Sequence, residues 1–108
     1  MIFAGGVLGD RPPELTWLHT ASSTANATSY TFSSVALGTE HASRLIIVGV
    51  SSFFADTVTV DGVSAALVGA TDIGSETVEI WQAEVPTGTS VSIVVAAGPS
   101  AAPHCMIE

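Results

Sequence analysis

Turn residues at short, regular intervals are the feature of this sequence that most restricts its fold. Gly, Pro, Asp and Asn interrupt the chain repeatedly, and between them apolar residues tend to alternate with polar ones. No segment of normal helix length shows the 3.6-residue apolar period of an amphipathic helix. Many short strands joined by tight turns are typical of antiparallel sandwiches and barrels. We therefore predict an all-β fold, an antiparallel β-sandwich of the jelly-roll or immunoglobulin-like kind.

The clearest local signal is a hairpin centred on Asp61-Gly62. Residues 57–60 (TVTV) precede this pair and residues 63–68 (VSAALV) follow it. Asp-Gly suits the two positive-φ positions of a type I′ turn, whose twist matches that of paired strands. The other predicted strands are residues 15–20, 29–35, 45–51, 76–85 and 90–97, with a further short strand beginning at Cys105. Residues 21–28 are predicted to be a loop or a weak edge strand.

The alternation also predicts a core. The continuous run LIIVGV at residues 45–50 is typical of a central buried strand. In residues 76–85, Val78 and Ile80 are expected to face inward, with Glu79 and Trp81 on the other face. The predicted core is Phe32, Val35, Leu45, Ile47, Val58, Val60, Val78, Ile80, Val91, Ile93 and Val95.

The first thirteen residues are predicted to form an extended arm, and residues 14–108 the β-sandwich domain. Gly5, Gly6, Gly9 and Pro12-Pro13 oppose a regular element. The arm nevertheless contains the apolar residues Ile2, Phe3, Val7 and Leu8, which we expect to dock on this domain or on a neighbouring subunit. It lacks the basic start of a signal peptide and is too short to span a bilayer, so we expect a soluble protein made without a cleaved leader.

Charge argues against two classes of partner. Ten carboxylates and only two cations, Arg11 and Arg44, give a formal net charge of −8. Nucleic-acid binders neutralise phosphates with Lys and Arg, and anionic lipid attracts basic surfaces. We therefore expect no nucleic-acid or membrane partner. Arg44 lies just before the apolar run and is expected to pair with a carboxylate.

Candidate catalytic and metal-binding residues are few. No nucleophile elbow accompanies the histidines, which are His19, His41 and His104. These three and Cys105 do not have the spacing of a known zinc motif. Asp56, Asp61 and Asp72 lie in turns without the pattern of a calcium loop. Cys105, the single cysteine, is expected to be a small buried apolar residue. We expect no enzyme activity, no cofactor and no metal.

A glycosidase carboxylate pair would have to come from Glu76, Glu79 and Glu84. Glu76 and Glu79 are three positions apart on one strand and should face opposite ways, so solvation is the better interpretation. The aromatic residues suggest a different role. Trp81 belongs either to the core or to an interface, and Trp17, Tyr30 and Trp81 are candidates for stacking on a sugar.

Four segments carry a resemblance to a known group of proteins. They are residues 21–39 (ASSTANATSYTFSSVALGT), 44–50 (RLIIVGV), 60–66 (VDGVSAA) and 81–89 (WQAEVPTGT). The sequence resembles poorly characterised proteins of phages and prophages of alphaproteobacteria, virion components of the decoration, tail or fibre kind. The resemblance covers roughly residues 20–97 and carries over no catalytic or binding residue. The N-terminal arm has no counterpart in that group, whose members tend to be longer.

The resemblance implies a structural protein of a bacteriophage virion. The expected partners are other capsid or tail subunits, and the chain is expected to be a homo-oligomer. Interface residues would include Ile2, Phe3, Val7, Leu8 and Trp81. The alternative is a carbohydrate-binding β-sandwich module for host recognition, with Trp17, Tyr30 and Trp81 as the binding residues.

Overall fold

A computed structural model describes residues 16–52, 55, 57–74, 76–97, 102 and 104–108. The four arm residues predicted to form an interface (Ile2, Phe3, Val7 and Leu8) lie outside this range. Nine strands form: β1 (Ala21–Ser23), β2 (Ser29–Ala36), β3 (Leu45–Ser52), β4 (Thr57–Val60), β5 (Val63–Ser64), β6 (Ala66–Asp72), β7 (Thr77–Glu84), β8 (Ser90–Ala96) and β9 (Cys105–Ile107).

The strands form two sheets that pack face to face. One has five strands in the order β1-β9-β3-β7-β6, and the other has four in the order β2-β8-β4-β5. Every pairing between the named strands is antiparallel. No helix occurs in the described part of the chain. The prediction of an all-β antiparallel sandwich is confirmed.

The core lies between the inner faces of the two sheets. The four-stranded sheet contributes the buried residues Tyr30, Phe32, Val35, Val58, Val60, Val91, Ile93 and Val95. The five-stranded sheet contributes Ile46, Val48, Val50, Trp81, Ala83, Cys105 and Ile107. The core prediction is therefore correct for all seven of its members in β2, β4 and β8.

An irregularity in β2 explains why Phe32 and Val35, which are three positions apart, are both buried in the core. Phe32 and Val35 are three apart, so a regular strand would point them to opposite faces. The pairing of β2 with β8 shifts register between them, and Ser34 has a φ of 58°. This β-bulge turns the strand so that both side chains are buried.

The prediction was wrong for the inner faces of β3 and β7. Leu45 and Ile47 are 46% and 39% exposed, and Val78 and Ile80 are 39% and 41% exposed. The opposite faces of these strands are buried instead. In β3 both faces are apolar, so alternation alone cannot select one. In β7, burial of the large indole of Trp81 brings Glu79 inward with it, because residues two apart share a face.

The hairpin at Asp61-Gly62 forms as predicted, but its second strand is short. Asp61 and Gly62 have φ values of 52° and 77°, which fits the type I′ turn. Val63 and Ser64 pair with β4, and the Ala65 N–H donates to the Val58 carbonyl oxygen at 2.8 Å. The chain then leaves this sheet at Ala65 and continues as β6 in the other sheet, so residues 63–68 are not one strand.

The chain before β2 also differs from the prediction. Residues 16–20 form no strand, although the apolar and aromatic residues at 15–20 predicted one. Residues 21–28 contain the short edge strand β1, which pairs with β9. β9 itself forms where the sequence predicted a short strand, and Cys105 within it is fully buried, as expected.

Arg44 has a different role from the one predicted. Its guanidinium donates to six backbone carbonyl oxygens, at distances between 2.7 and 3.4 Å: those of Leu37, Gly38, Thr39, Val85, Thr87 and Gly88. It forms no ion pair with any carboxylate of the described residues. Arg44 therefore joins the loop after β2 to the loop after β7 at one end of the sandwich. The predicted ion pair was wrong because carbonyl oxygens in these tight loops satisfy all the donors.

Candidate interaction surface

The outer face of the five-stranded sheet carries a group of exposed apolar side chains, which we call the outer patch. It consists of Leu45 and Ile47 from β3, Val78 and Ile80 from β7, and Met106 from β9, each between 39% and 46% exposed. Ile80 pairs with Gly49 and Val78 with Ser51, which in turn pairs with Met106. Directly paired residues in antiparallel strands share a face, so Val78, Ile80 and Met106 lie together around Gly49 and Ser51. Leu45 and Ile47 continue the same face along β3, where they pair with Glu84 and Gln82.

A shallow depression lies in the middle of the outer patch. Gly49 has no side chain, and Val78, Ile80 and Met106 line the space around it together with Glu108. The backbone of Glu108 exchanges two hydrogen bonds with Gly49, each 2.9 Å long. Glycine in a strand interior often marks a close approach of another chain. Here the depression gives the outer patch a concave centre that a protruding side chain could fill.

Charge is confined to the margin of the outer patch. Glu84 pairs with Leu45 at the start of β3, and Glu108 lies beside Gly49. The one Lys or Arg side chain in the described part of the chain, Arg44, is fully engaged by carbonyl oxygens. The surface is thus apolar at its centre and acidic at its rim, and contiguous apolar patches with polar rims are characteristic of protein-binding sites.

The edge strand β6 adds to the exposed apolar surface. All seven of its residues are exposed, and Leu67 and Val68 are 50% and 59% exposed. The facing sheet ends at β5, which is only two residues long. Among the described residues no strand pairs with the outer edge of β6. A register shift between Leu67 and Gly69 interrupts this edge, which is a common way of limiting unwanted strand pairing.

Polar groups also lie inside the sandwich, near the end of β3. Glu79 is 4% exposed, and its Oε1 accepts a hydrogen bond of 3.4 Å from the indole N–H of Trp81. Burial raises the pKa of the Glu79 carboxyl, while hydrogen bonds from Trp81 and the Ala55 backbone act in the opposite direction. The carboxyl is therefore easier to protonate than a solvated one.

Cys105 belongs to the same buried group. Burial, together with the negative charge of Glu79, raises the pKa of the Cys105 thiol to about 11, and a hydrogen bond with Ser52 opposes this shift. The Ser52 hydroxyl donates to the His104 carbonyl oxygen at 3.1 Å. A thiol with a high pKa inside a core is a poor nucleophile. This cluster is therefore suited to structure rather than to covalent catalysis.

A second polar group lies at the surface next to this cluster. His104 Nε2 is 2.7 Å from Glu76 Oε1, and the Ser51 hydroxyl donates to Glu76 Oε2 at 3.2 Å. The side chains of His104 and Glu76 are both about one-third exposed. The contact joins the start of β9 to the start of β7. Within the described residues, no three His, Cys, Asp or Glu side chains form a group that could hold a metal ion.

The structure separates the three candidate sugar-binding aromatic residues. Trp17 is 71% exposed, whereas Tyr30 and Trp81 are 4% and 6% exposed. Tyr30 stacks on Phe32, and its hydroxyl is 2.5 Å from the carbonyl oxygens of Ala25 and Ala102. Trp81 occupies the core, one of the two positions predicted for it, so its assignment to an exposed interface was wrong.

The other candidate residues are dispersed. His41 lies in an exposed loop, where its Nδ1 is 3.0 Å from the Ser43 hydroxyl, and His19 precedes β1. Asp61 occupies the hairpin turn. Asp72 accepts a hydrogen bond from the Gly74 backbone N–H, and Asp56 lies outside the described residues. The outer patch itself was missed because four of its five members, Leu45, Ile47, Val78 and Ile80, were assigned to the core. The apolar character of both faces of β3 was the sequence signal that could have revealed it.

Comparisons with known proteins give no further guide to function. No protein-family model, curated protein or solved structure matches this chain significantly. The described residues include no helical segment that could cross a lipid bilayer.

Proposed function

We propose that this chain is a non-catalytic structural subunit, and that the outer patch binds another protein in a larger assembly. The observation that carries the proposal is that five exposed apolar side chains lie on one face of the five-stranded sheet: Leu45, Ile47, Val78, Ile80 and Met106. Single exposed apolar residues are common on soluble proteins. Several on one sheet face, around a central depression, are the arrangement expected of a binding surface.

Charge also supports a protein partner. The acidic rim of the outer patch would repel phosphates and anionic lipid, but it would complement a partner with basic residues around an apolar centre. The small uncharged residues that cover much of the remaining surface are suited to close packing in an assembly. Charged residues make up only 11% of the chain.

The assembly that we propose is a bacteriophage particle, and the partners are capsid or tail subunits. This part of the proposal is based on the resemblance of residues 20–97 to phage virion proteins. Homo-oligomers would fit the same role, because a symmetric particle presents many copies of each subunit and repetition strengthens weak contacts.

The carbohydrate-binding alternative has less support. Two of its three aromatic residues, Tyr30 and Trp81, are buried and offer no ring face to a sugar. Trp17 is exposed, but it is not accompanied by a second exposed aromatic ring among the described residues. The described residues therefore offer no pair of aromatic rings for stacking on a sugar.

A double substitution, Val78→Thr with Ile80→Thr, tests the proposal. Threonine keeps β-branching and β-propensity, and both positions are exposed, so the domain should keep its stability. Loss of apolar contact should lower incorporation of the chain into particles about tenfold, the ratio that corresponds to about 1.4 kcal/mol. Incorporation is measured by quantitative immunoblotting of purified particles, alongside the thermal unfolding midpoint of the isolated protein.

Val63→Thr is the matched control, because Val63 is 40% exposed but belongs to the four-stranded sheet. This variant should enter particles at the wild-type level. Equal incorporation of the double variant and the wild type would show that the outer patch is not the contact surface.

A further inference from the structure

Gly49 lies in the interior of the central strand β3, where glycine is unfavourable. It has no side chain to pack, and it loses more conformational freedom on folding than any other residue. Its φ is not in the positive range that would require glycine. Among the described residues, the nearest atoms to a Cβ built at Gly49 are Glu108 Cβ and O, both at 3.9 Å, which is ordinary van der Waals contact. Neither the backbone conformation nor packing within the described structure therefore explains this glycine.

Gly49 and Ser51 form the floor of the depression in the outer patch, which we call the slot. They are the two smallest residues on the outer face of β3, where Leu45 and Ile47 precede them. The walls of the slot come from β7 and β9 and consist of Val78, Ile80, Met106 and Glu108. These two strands are about 10 Å apart, and Gly49 and Ser51 are about 7 Å apart along β3. A space of this size suits one apolar side chain and is too small for a whole strand.

Charge determines which kind of protein suits the slot. Glu108 stands at one end of it. Glu76 and its partner His104 stand beyond the other end, where Glu76 accepts a hydrogen bond of 3.2 Å from Ser51. A second copy of the chain would bring a net charge of −8 and only two Lys or Arg residues. One of these, Arg44, is bound to carbonyl oxygens of its own chain. Two copies meeting at this surface would therefore place like charges together, whereas a basic partner would complement them.

We propose that the slot receives one apolar side chain of a different protein, and that Lys or Arg residues flank this side chain in the partner. Gly49 is then the residue that determines which partner binds, because any larger residue would occupy the floor of the slot. A residue that lowers stability is commonly kept where binding requires it. This inference rests on the proposed function and deepens it, since it names the chemistry of the partner. Contacts between copies of this chain then belong to another surface.

Two substitutions that fill the floor of the slot test the proposal. Gly49→Ala adds a Cβ for which the described residues leave space, and Gly49→Val fills more of the slot. Both raise β-propensity, so the thermal unfolding midpoint of the isolated protein should equal or exceed that of the wild type. Incorporation into particles, measured by quantitative immunoblotting, should nevertheless fall at least about tenfold for Gly49→Val and about threefold for Gly49→Ala. The alanine variant decides the result if valine itself destabilises the sheet.

Ser92→Val is the matched control, because Ser92 is exposed on the outer face of the four-stranded sheet and this variant should enter particles normally. A midpoint of Gly49→Ala below that of the wild type would show that the fold itself requires glycine, and the proposal would be wrong. Wild-type incorporation of both Gly49 variants would also overturn it. If the Val78→Thr, Ile80→Thr variant fails to enter particles while the Gly49 variants enter normally, the proposed function stands and only this inference fails.

Defined peptides test the chemistry of the partner without particles. The probes are acetyl-KSTLTSK-amide, the same peptide with alanine in place of leucine, and the same peptide with glutamate in place of both lysines. When titrated into the isotope-labelled full chain, the first peptide should shift the amide resonances of Gly49 and Ser51. It should bind at least about fivefold more tightly than either of the other two. Equal affinity for the three peptides, or shifts confined to other residues, would overturn the proposal.

Sedimentation velocity distinguishes a different protein from a second copy of this chain. The wild type and Gly49→Val should show the same state of association at equal concentration, because the slot does not mediate contacts between copies. Self-association of the wild type that is abolished by Gly49→Val would place a second copy in the slot and contradict the proposal.

Discussion

Glu79 and Trp81 point into the sandwich from the same face of β7, and the indole N–H of Trp81 donates to the Glu79 carboxylate at 3.4 Å. A large apolar ring and an ionisable group thus enter the core together. Burial removes water from around the carboxylate and so disfavours its charged form. This desolvation raises the pKa of Glu79.

Glu79→Gln should stabilise the protein at neutral pH. Since the folded pKa of Glu79 lies above its ordinary value, its contribution to stability is complete below the unfolded pKa, near 4.5, and is lost as pH rises through the folded pKa. The glutamine side chain would still accept the Trp81 hydrogen bond but would carry no charge. We expect a gain of about 1 kcal/mol at pH 7 and little difference at pH 4, measured by urea unfolding. An equal gain at both pH values would contradict this explanation.

Arg44→Lys should destabilise the fold although it preserves the charge. The guanidinium reaches six carbonyl oxygens in two loops, and an ammonium group has only three donors at one point. We expect a loss of about 2 kcal/mol in the free energy of unfolding. Chemical denaturation measures this loss, and Arg44→Met should cost at least as much. If Arg44→Lys had wild-type stability, the hydrogen bonds from Arg44 to these loops would contribute little to the free energy of unfolding.

Gly62→Ala should cost about 1 kcal/mol, because Gly62 has a φ of 77° and an L-residue with a Cβ is strained there. Steric overlap does not contribute to this loss of stability, since no heavy atom lies within 4 Å of the position that a Cβ would occupy. Gly69→Ala is the control, because its Cβ would also meet nothing and its φ is not positive. The thermal midpoints of the two variants should therefore differ, and equal midpoints would mean that the backbone at Gly62 is unstrained.

A pair of threonine substitutions in β3 distinguishes the two faces of the strand. Val48 is 1% exposed, and Val48→Thr would bury a hydroxyl group, which we expect to cost about 2 kcal/mol. Ile47→Thr, one residue away but on the outer patch, should change stability by no more than about 0.5 kcal/mol. Urea unfolding of both variants is the measurement. If Ile47→Thr lowered the free energy of unfolding more than Val48→Thr, Ile47 would face the core, as the sequence alternation predicted.

The Cys105 thiol should be unreactive in the folded protein. It is fully buried, and its pKa is raised to about 11, so very little thiolate forms at pH values near 8. Labelling with a thiol reagent should therefore become fast only in denaturant. In a Cys105→Ser background, Met106→Cys provides an exposed thiol on the same strand, which should react rapidly with the same reagent. Rapid labelling of native Cys105 would show that β9 detaches readily from β3.

Much of the fold was predictable because the signals are local. Asp61-Gly62 specifies its own turn, since both residues adopt positive φ there. In β4 and β8 one face is clearly more apolar than the other, so Val58, Val60, Val91, Ile93 and Val95 could be assigned to the core directly. The buried state of Cys105 followed in the same way from its apolar neighbours.

The sequence by itself determined the fold class, the hairpin turn and the inner face of the four-stranded sheet, because strand period and turn geometry depend on neighbouring residues. Only the tertiary structure decided which face of β3 and β7 is covered, that the chain changes sheets at Ala65, and that Arg44 binds carbonyl oxygens. β3 is apolar on both faces, so its inner face depends on which surface the second sheet can pack against. That choice is made by contacts between residues distant in the chain, and it leaves Leu45, Ile47, Val78 and Ile80 at the surface.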